Sequence, residues 1–140
     1  MTGTFFSQGR AVMKKILVVD DEKDVLDLVR RVLIRGGFEV ITALDGKEGL
    51  AKVYNEAPDL MILDINMPGM DGWEVCRKIR EDPLYKHLPI IMLTVRRTKK
   101  DQLKGLNLGS DEYITKPFYP TELVARVKTV LQRAEGGISI

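Results

Sequence analysis

The feature that most constrains this chain is a four-residue apolar run, Leu60-Met61-Ile62-Leu63, that ends abruptly in Asp64. A turn-forming stretch, Met67-Pro68-Gly69-Met70-Asp71-Gly72, follows almost at once. A short continuous apolar run bounded by turn signals fits a strand buried on both faces, the environment of a parallel sheet. One proline and two glycines forbid further strand, so the backbone must turn just past Asp64. A carboxylate therefore stands at the C-terminal end of a strand, where open α/β sheets receive their ligands.

The same logic recurs along the chain. Ile16-Leu17-Val18-Val19 runs into Asp20-Asp21-Glu22, and Pro89-Ile90-Ile91-Met92-Leu93 runs into Thr94. Residues 38–42 alternate and are β-branched, as expected near a sheet edge. Glu112-Tyr113-Ile114-Thr115 reads as a short strand leading into Lys116-Pro117-Phe118. Between the strands, apolar residues return at helical spacing. Val25, Leu28, Val29, Val32 and Leu33 form the inward stripe of a first helix closed by Gly36-Gly37. Asp45 caps a second helix, with Leu50, Val53 and Tyr54 inward. A third helix runs from Trp73 to Arg80, with Cys76 as small apolar filling and Trp73 partly exposed beside the turn. A fourth spans residues 98–108 before Gly109. The last starts at Pro120 and reaches about Ala134, with Leu123, Val127, Val130 and Leu131 on one face. Five strands alternating with five helices predict a doubly wound α/β fold: a five-stranded parallel sheet flanked by five helices in a three-layer sandwich.

Size and composition narrow the functional classes. A chain of 140 residues suits one domain with a core that needs neither disulfide nor structural metal. The domain is expected over residues 13–134, after a flexible extension at 1–12 and before a frayed tail at 135–140. With 22 basic and 20 acidic residues the net charge is +2, which offers no nucleic-acid or membrane surface. No apolar run approaches the roughly 20 residues that cross a bilayer. Cys76, the sole cysteine, fits a reducing cytoplasm.

In a parallel sheet every strand end points the same way, so Asp20, Asp21, Asp64, Thr94 and Lys116 should meet along one edge. Taken singly, a strand-terminal aspartate is as readily a helix N-cap, and Tyr113 a packing tyrosine. Together the five groups amount to a site. Three carboxylates this close need a counter-charge, and a hard divalent cation such as Mg²⁺ supplies it. A lysine, a hydroxyl and a cation around one carboxylate suit phosphoryl transfer to an aspartyl nucleophile.

Residues 15–21, Leu63 to Gly72, Leu93-Thr94 and Asp111 to Phe118, all in order and at strand ends, resemble the response-regulator receiver domain of two-component signalling. The resemblance runs from about Lys14 to Arg133. It implies the flavodoxin-like strand order 2-1-3-4-5. It implies that Asp64 accepts a phosphoryl group from a sensor histidine kinase, a phosphotransfer protein or a small acyl phosphate. Asp21 and Asp64 would ligate Mg²⁺ directly, Asp20 through water, and Asn66 through its backbone carbonyl. Lys116 would neutralise Asp64 and then grip the phosphoryl group, and Thr94 would move to bond it. Tyr113 would turn inward in response, and the Lys116–Pro117 bond would be cis. Such a protein assists its own phosphorylation and dephosphorylation and turns over no external substrate.

The sequence departs from the family at Val95, where receivers usually carry a small residue beside the phosphoryl approach path; valine is expected to narrow it. The last third resembles receivers of DNA-binding regulators that form phosphorylation-promoted homodimers through helix four, strand five and helix five. Asp111, Glu112, Glu122, Arg126 and Arg133 have the matching types for that face, whereas Gln102 replaces a basic residue. His87 reads as a solvated loop residue. The Arg96-Arg97 and Lys99-Lys100 cluster reads as a solvated helix start, with steering of anionic donors as the lesser alternative. An aspartyl-phosphate phosphohydrolase is the rival reading, but it would want an acid where Asn66 stands. A flavin or nucleotide module lacks its glycine-rich loop here.

Overall fold

The computed structural model describes residues 13–136. Its strands are β1 (Lys15–Val19), β2 (Glu39–Ala43), β3 (Leu60–Leu63), β4 (Ile90–Thr94) and β5 (Glu112–Thr115). They alternate with α1 (Lys23–Arg35), α2 (Gly46–Glu56), α3 (Gly72–Glu81), α4 (Lys99–Asn107) and α5 (Pro120–Gly136). All neighbouring strands pair in parallel, in the order β2-β1-β3-β4-β5. The doubly wound architecture expected from the alternation is therefore present.

Strand periodicity divides the core. Ile16, Val18, Leu60, Ile62, Ile91, Leu93 and Ile114 face α1 and α5, while Leu17, Val19, Met61, Leu63, Ile90 and Met92 face the opposite layer. The central strand β3 is buried on both faces, which explains why its sequence does not alternate. Asp45 caps α2 by accepting from the Glu48 amide at 2.7 Å, and the Glu48 carboxylate accepts from the amide of Leu44, just before the cap, at 2.8 Å.

Four sequence expectations are corrected. On α1 the buried stripe is Leu26, Val29 and Leu33, with Val25 and Val32 partly covered and Leu28 left 45% exposed. The helical period was legible, but its rotation about the axis depends on how α1 meets α5. Tyr54 faces outward, its ring edge-on to Tyr85 and its hydroxyl donating to Asp82 at 2.7 Å. Trp73 is buried rather than partly exposed, packed with Met92-side residues and covered by the Lys104 ammonium 4.7 Å from its ring. Finally, α5 continues to Gly136, and Glu135 pairs with Lys14 at 2.7 Å, so the tail does not begin at 135. The extension at 1–12 and positions 137–140 lie outside the described residues.

Candidate functional site

Backbone bonds continue the sheet one residue beyond each strand and so fix the site. The Asp20 amide donates to the Ala43 carbonyl, the Asp64 amide to the Val19 carbonyl at 3.0 Å, and the Lys116 amide to the Thr94 carbonyl at 2.8 Å. Three functional residues are thus placed by main-chain geometry before any side chain is considered. The Lys116–Pro117 bond is cis, as expected.

At this rim one carboxylate oxygen each from Asp20, Asp21 and Asp64 lies within 4.8 Å of the others. Lys116 Nζ donates to Asp20 Oδ2 at 2.7 Å and stands 3.5 Å from Asp64 Oδ2, with Glu22 farther off at 3.9 Å. Asp20, Asp64 and Lys116 are buried, while Asp21 is exposed. Neither strand-end aspartate serves as a helix cap: Asp20 accepts from the Glu22 amide and Asp64 Oδ1 from the Ile65 amide. Burial raises the Asp64 carboxyl above its ordinary range, opposed by the Lys116 charge and reinforced by Asp20; a Thr94 hydrogen bond also favours the ionised form. Burial likewise works against the Lys116 charge, but the Asp20 hydrogen bond and the Asp64 and Asp20 charges outweigh it and hold the ammonium above its ordinary value.

One lysine facing three carboxylates leaves negative charge unbalanced. The donor set is entirely hard oxygen, which fits Mg²⁺ far better than a softer ion. The Asn66 backbone carbonyl accepts no hydrogen bond among the described residues and can complete such a set. Gly72 closes the site from below. A Cβ there would lie 2.7 Å from Ile65 Cα and 2.9 Å from the Asp64 carbonyl carbon, so the start of α3 rests on the backbone that carries Asp64.

Around the mouth, Arg96 is a hub that the sequence did not reveal. Its Nε donates to Asn66 Oδ1 at 2.9 Å, and a terminal nitrogen meets Asp101 at 3.2 Å. Its amide reaches the Thr94 hydroxyl at 3.3 Å, and its carbonyl accepts from the Tyr113 hydroxyl at 2.8 Å. Burial, with the nearby Asp101 charge, pushes the Tyr113 phenol up to about 12. The Tyr113 ring lies against Gly105, where a Cβ would come within 2.9 Å of it. Tyr113 thus joins the site through Arg96 rather than by touching Asp64. Val95, 54% exposed, follows Thr94 at the same mouth.

A family model described as the response regulator receiver domain matches residues 16–128. The chain belongs to the receiver-domain family of response regulators. It is 50% identical over 122 residues to the alkaline phosphatase synthesis transcriptional regulatory protein PhoP of Bacillus subtilis, an alignment that covers 87% of this chain and 50% of that protein. The receiver thus spans about half the length of that relative. Among solved structures, a putative response regulator from Chloroflexus aurantiacus superposes with a TM-score of 0.84 at 40% identity, covering 87% of this chain and all of that one. The chemotaxis protein CheY4 of Vibrio cholerae gives a TM-score of 0.80 at 37% identity, covering 85% and 99% respectively.

In this receiver the residues expected on a dimer face are paired within the chain. Glu112 meets Arg126 at 3.1 Å and Arg133 at 3.6 Å, and Glu122 meets Arg126 at 3.3 Å. Asp111 sits apart from them, accepting from the Ile90 amide at 2.8 Å and from Arg80 at 3.1 Å. Arg80 also donates to the carbonyls of Lys86, Leu88 and Gly109, tying the end of α3 to the α4–β5 turn. Nothing in the local sequence marks Arg80, because its acceptors come from two separate connections, α3–β4 and α4–β5. Cys76 is buried as expected, its thiol pushed up to about 11 by that burial.

Proposed function

We propose that this receiver is a phosphoryl-accepting switch in which Asp64 is the acceptor. The observation that carries the reading is the position of Lys116 Nζ, 2.7 Å from Asp20 and 3.5 Å from Asp64, beside the three-carboxylate cluster. An Asp64 oxygen attacks phosphorus, forming a P–O bond as the donor's P–N or P–O bond breaks, and the electron pair leaves with the donor. The donor is a histidine kinase or phosphotransfer protein bearing phosphohistidine, or a small acyl phosphate. Asp20, Asp21, Asp64 and the Asn66 carbonyl would hold Mg²⁺, which when bound supplies positive charge for the incoming phosphoryl oxygens. Lys116 shares that task, its ammonium bonded to Asp20 at 2.7 Å and standing 3.5 Å from Asp64. Thr94 supplies a hydroxyl to a phosphoryl oxygen, and Tyr113 follows through the Arg96 carbonyl that links it to the Thr94 segment.

The output face is α4, β5 and α5. Leu103 and Leu106 on α4 are about half exposed, and pairing of two copies there would draw on Glu112, Glu122, Arg126 and Arg133. Gln102 donates to the Arg97 carbonyl and brings no charge to such a contact, which weakens it modestly. The resemblance to a transcriptional regulator twice as long supports a role as the receiver part of a DNA-binding regulator, with no nucleic-acid contact by this domain. None of the described helices is long and apolar enough to cross a membrane, and the proposed place of action is the cytoplasm. A phosphohydrolase would need an acid at position 66, where an amide held by Arg96 stands instead. Intact-mass measurement after treatment with acyl phosphate and Mg²⁺ tests the reading. One phosphoryl adduct, absent from Asp64→Asn, is expected; an adduct of equal yield in the variant overturns it.

A further inference from the structure

Lys116 carries its ammonium on a flexible stem, so the place of that charge depends on how firmly the main chain of residue 116 is held. The Lys116 amide donates to the Thr94 carbonyl at 2.8 Å. The Lys116 carbonyl accepts from the Arg97 guanidinium at 2.6 Å and from no other donor among the described residues. Neither Pro117 nor Pro120 has an amide hydrogen to give it, and Arg97 supplies the donor from another loop. Arg97 is itself held, because the Gln102 side-chain amide on α4 donates to the Arg97 carbonyl at 3.1 Å. One short stretch, residues 94–97, thus grips both polar main-chain atoms of Lys116.

We infer that Arg97 is a positioning residue for Lys116, kept in place from α4 by Gln102. The inference rests on the acceptor role proposed for Asp64. Two features set Arg97 apart from a solvated surface cation. Its bond to the Lys116 carbonyl is partly buried and charge-assisted, and it joins residues nineteen apart in the chain. Its basic neighbours Lys99 and Lys100, by contrast, have no hydrogen-bond or ion-pair partner among the described residues. Without the guanidinium the Lys116 carbonyl turns to water and the stem gains freedom. The ammonium then keeps to Asp20, its 2.7 Å partner, and Asp64 at 3.5 Å loses the charge it needs as a phosphoryl group arrives. Thr94 and Lys116 are set by the same loop, so a displacement of residues 94–97 moves the ammonium along with the hydroxyl.

The test follows the rate of adduct formation on the full chain with acetyl phosphate and Mg²⁺, read by intact mass. Arg97→Ala should slow it about fivefold, the rate equivalent of one ordinary hydrogen bond. Arg97→Lys, which keeps a charged donor, should restore most of the rate. The loss should be equal at about 0.05 M and about 0.5 M NaCl, because salt screens a distant field far more than a partly buried contact. Gln102→Ala leaves the guanidinium charge in place and should still slow the reaction, by about twofold; an unchanged rate there overturns the part given to Gln102. Arg97→Ala reacting as fast as the wild type overturns the inference and leaves Asp64 as the acceptor. So does a loss that disappears at high salt, since Arg97 then only draws the anionic donor in. A wild type that forms no adduct overturns the acceptor reading and this inference with it.

Discussion

Arg96 Nε donates to Asn66 Oδ1 at 2.9 Å, joining the loop after β4 to the loop after β3 across the mouth of the acidic site. Arg96 also carries the carbonyl to which Tyr113 is bonded, so one residue spans the acceptor loop and the switch tyrosine.

Replacing Arg96 by alanine keeps the carbonyl but removes the bridge to Asn66 and Asp101. Asn66 is then free to move and water reaches Asp64 more readily. The phosphorylated form should decay severalfold faster. Folding stability should drop by no more than about 1 kcal/mol, because the lost pairs are half exposed. Decay of the intact-mass adduct provides the measurement, and an unchanged half-life counts against the bridge.

The raised Asp64 carboxyl gives a signed pH dependence. A carboxyl held above its unfolded value of 3.8 keeps its proton longer in the folded state. Stability from this group therefore falls as pH rises from about 4 through the raised value, and the ionised form is a standing cost above it. Asp64→Asn removes that cost. Without divalent cations the variant should melt higher than the wild type at pH 7, and the gap should close toward pH 4. Equal melting at pH 7 contradicts the assignment.

Lys116→Met strands Asp20 and Asp64 without their shared cation. Breaking a buried pair costs about 3 kcal/mol, and denaturant titration at pH 7 should show a loss of that size. Mg²⁺ should return part of it, because the ion replaces the missing charge. The folded Lys116 pKa is raised above 10.5, so its stabilisation is complete below that value and is lost only as pH climbs through the raised one. The wild-type advantage should therefore stay level from pH 7 to 9. A gap that shrinks across this range points to another cause.

Arg80→Ala leaves the carbonyls of Lys86, Leu88 and Gly109 without their donor, and Asp111 Oδ2 with only the Ile90 amide. Hydrogen bonds from a charged group contribute roughly 1.5–3 kcal/mol, and a loss of about 2 kcal/mol is expected in chemical denaturation. Phosphoryl acceptance, read by mass, should persist because Arg80 lies outside the acidic site. A variant as stable as the wild type removes the claim that Arg80 clamps the α4–β5 turn.

The acidic rim was legible because two simple facts combine: apolar runs mark where strands stop, and parallel strands stop on the same side. Asp20, Asp64, Thr94 and Lys116 needed nothing more. Leu28 and Tyr54 were misplaced because a period of 3.6 reveals a stripe but not the direction in which neighbours turn it. Arg96 looked like part of a solvated basic cluster, since its partners Asn66 and Tyr113 are brought near only by the crossing of two loops. Asp111 looked like an interface acid because residue type says nothing about a backbone amide at Ile90 that needs an acceptor.

Gly72 braces the backbone of Asp64 from beneath, and β1 and β4 hem in its strand on either edge. Bulk or charge added at that carboxylate consequently meets a rigid anvil on three sides. One yielding direction is outward, into the run from Val95 to Lys100, every residue of which is solvent-exposed. Stiffness under the acceptor is thus what gives a chemical event there a heading.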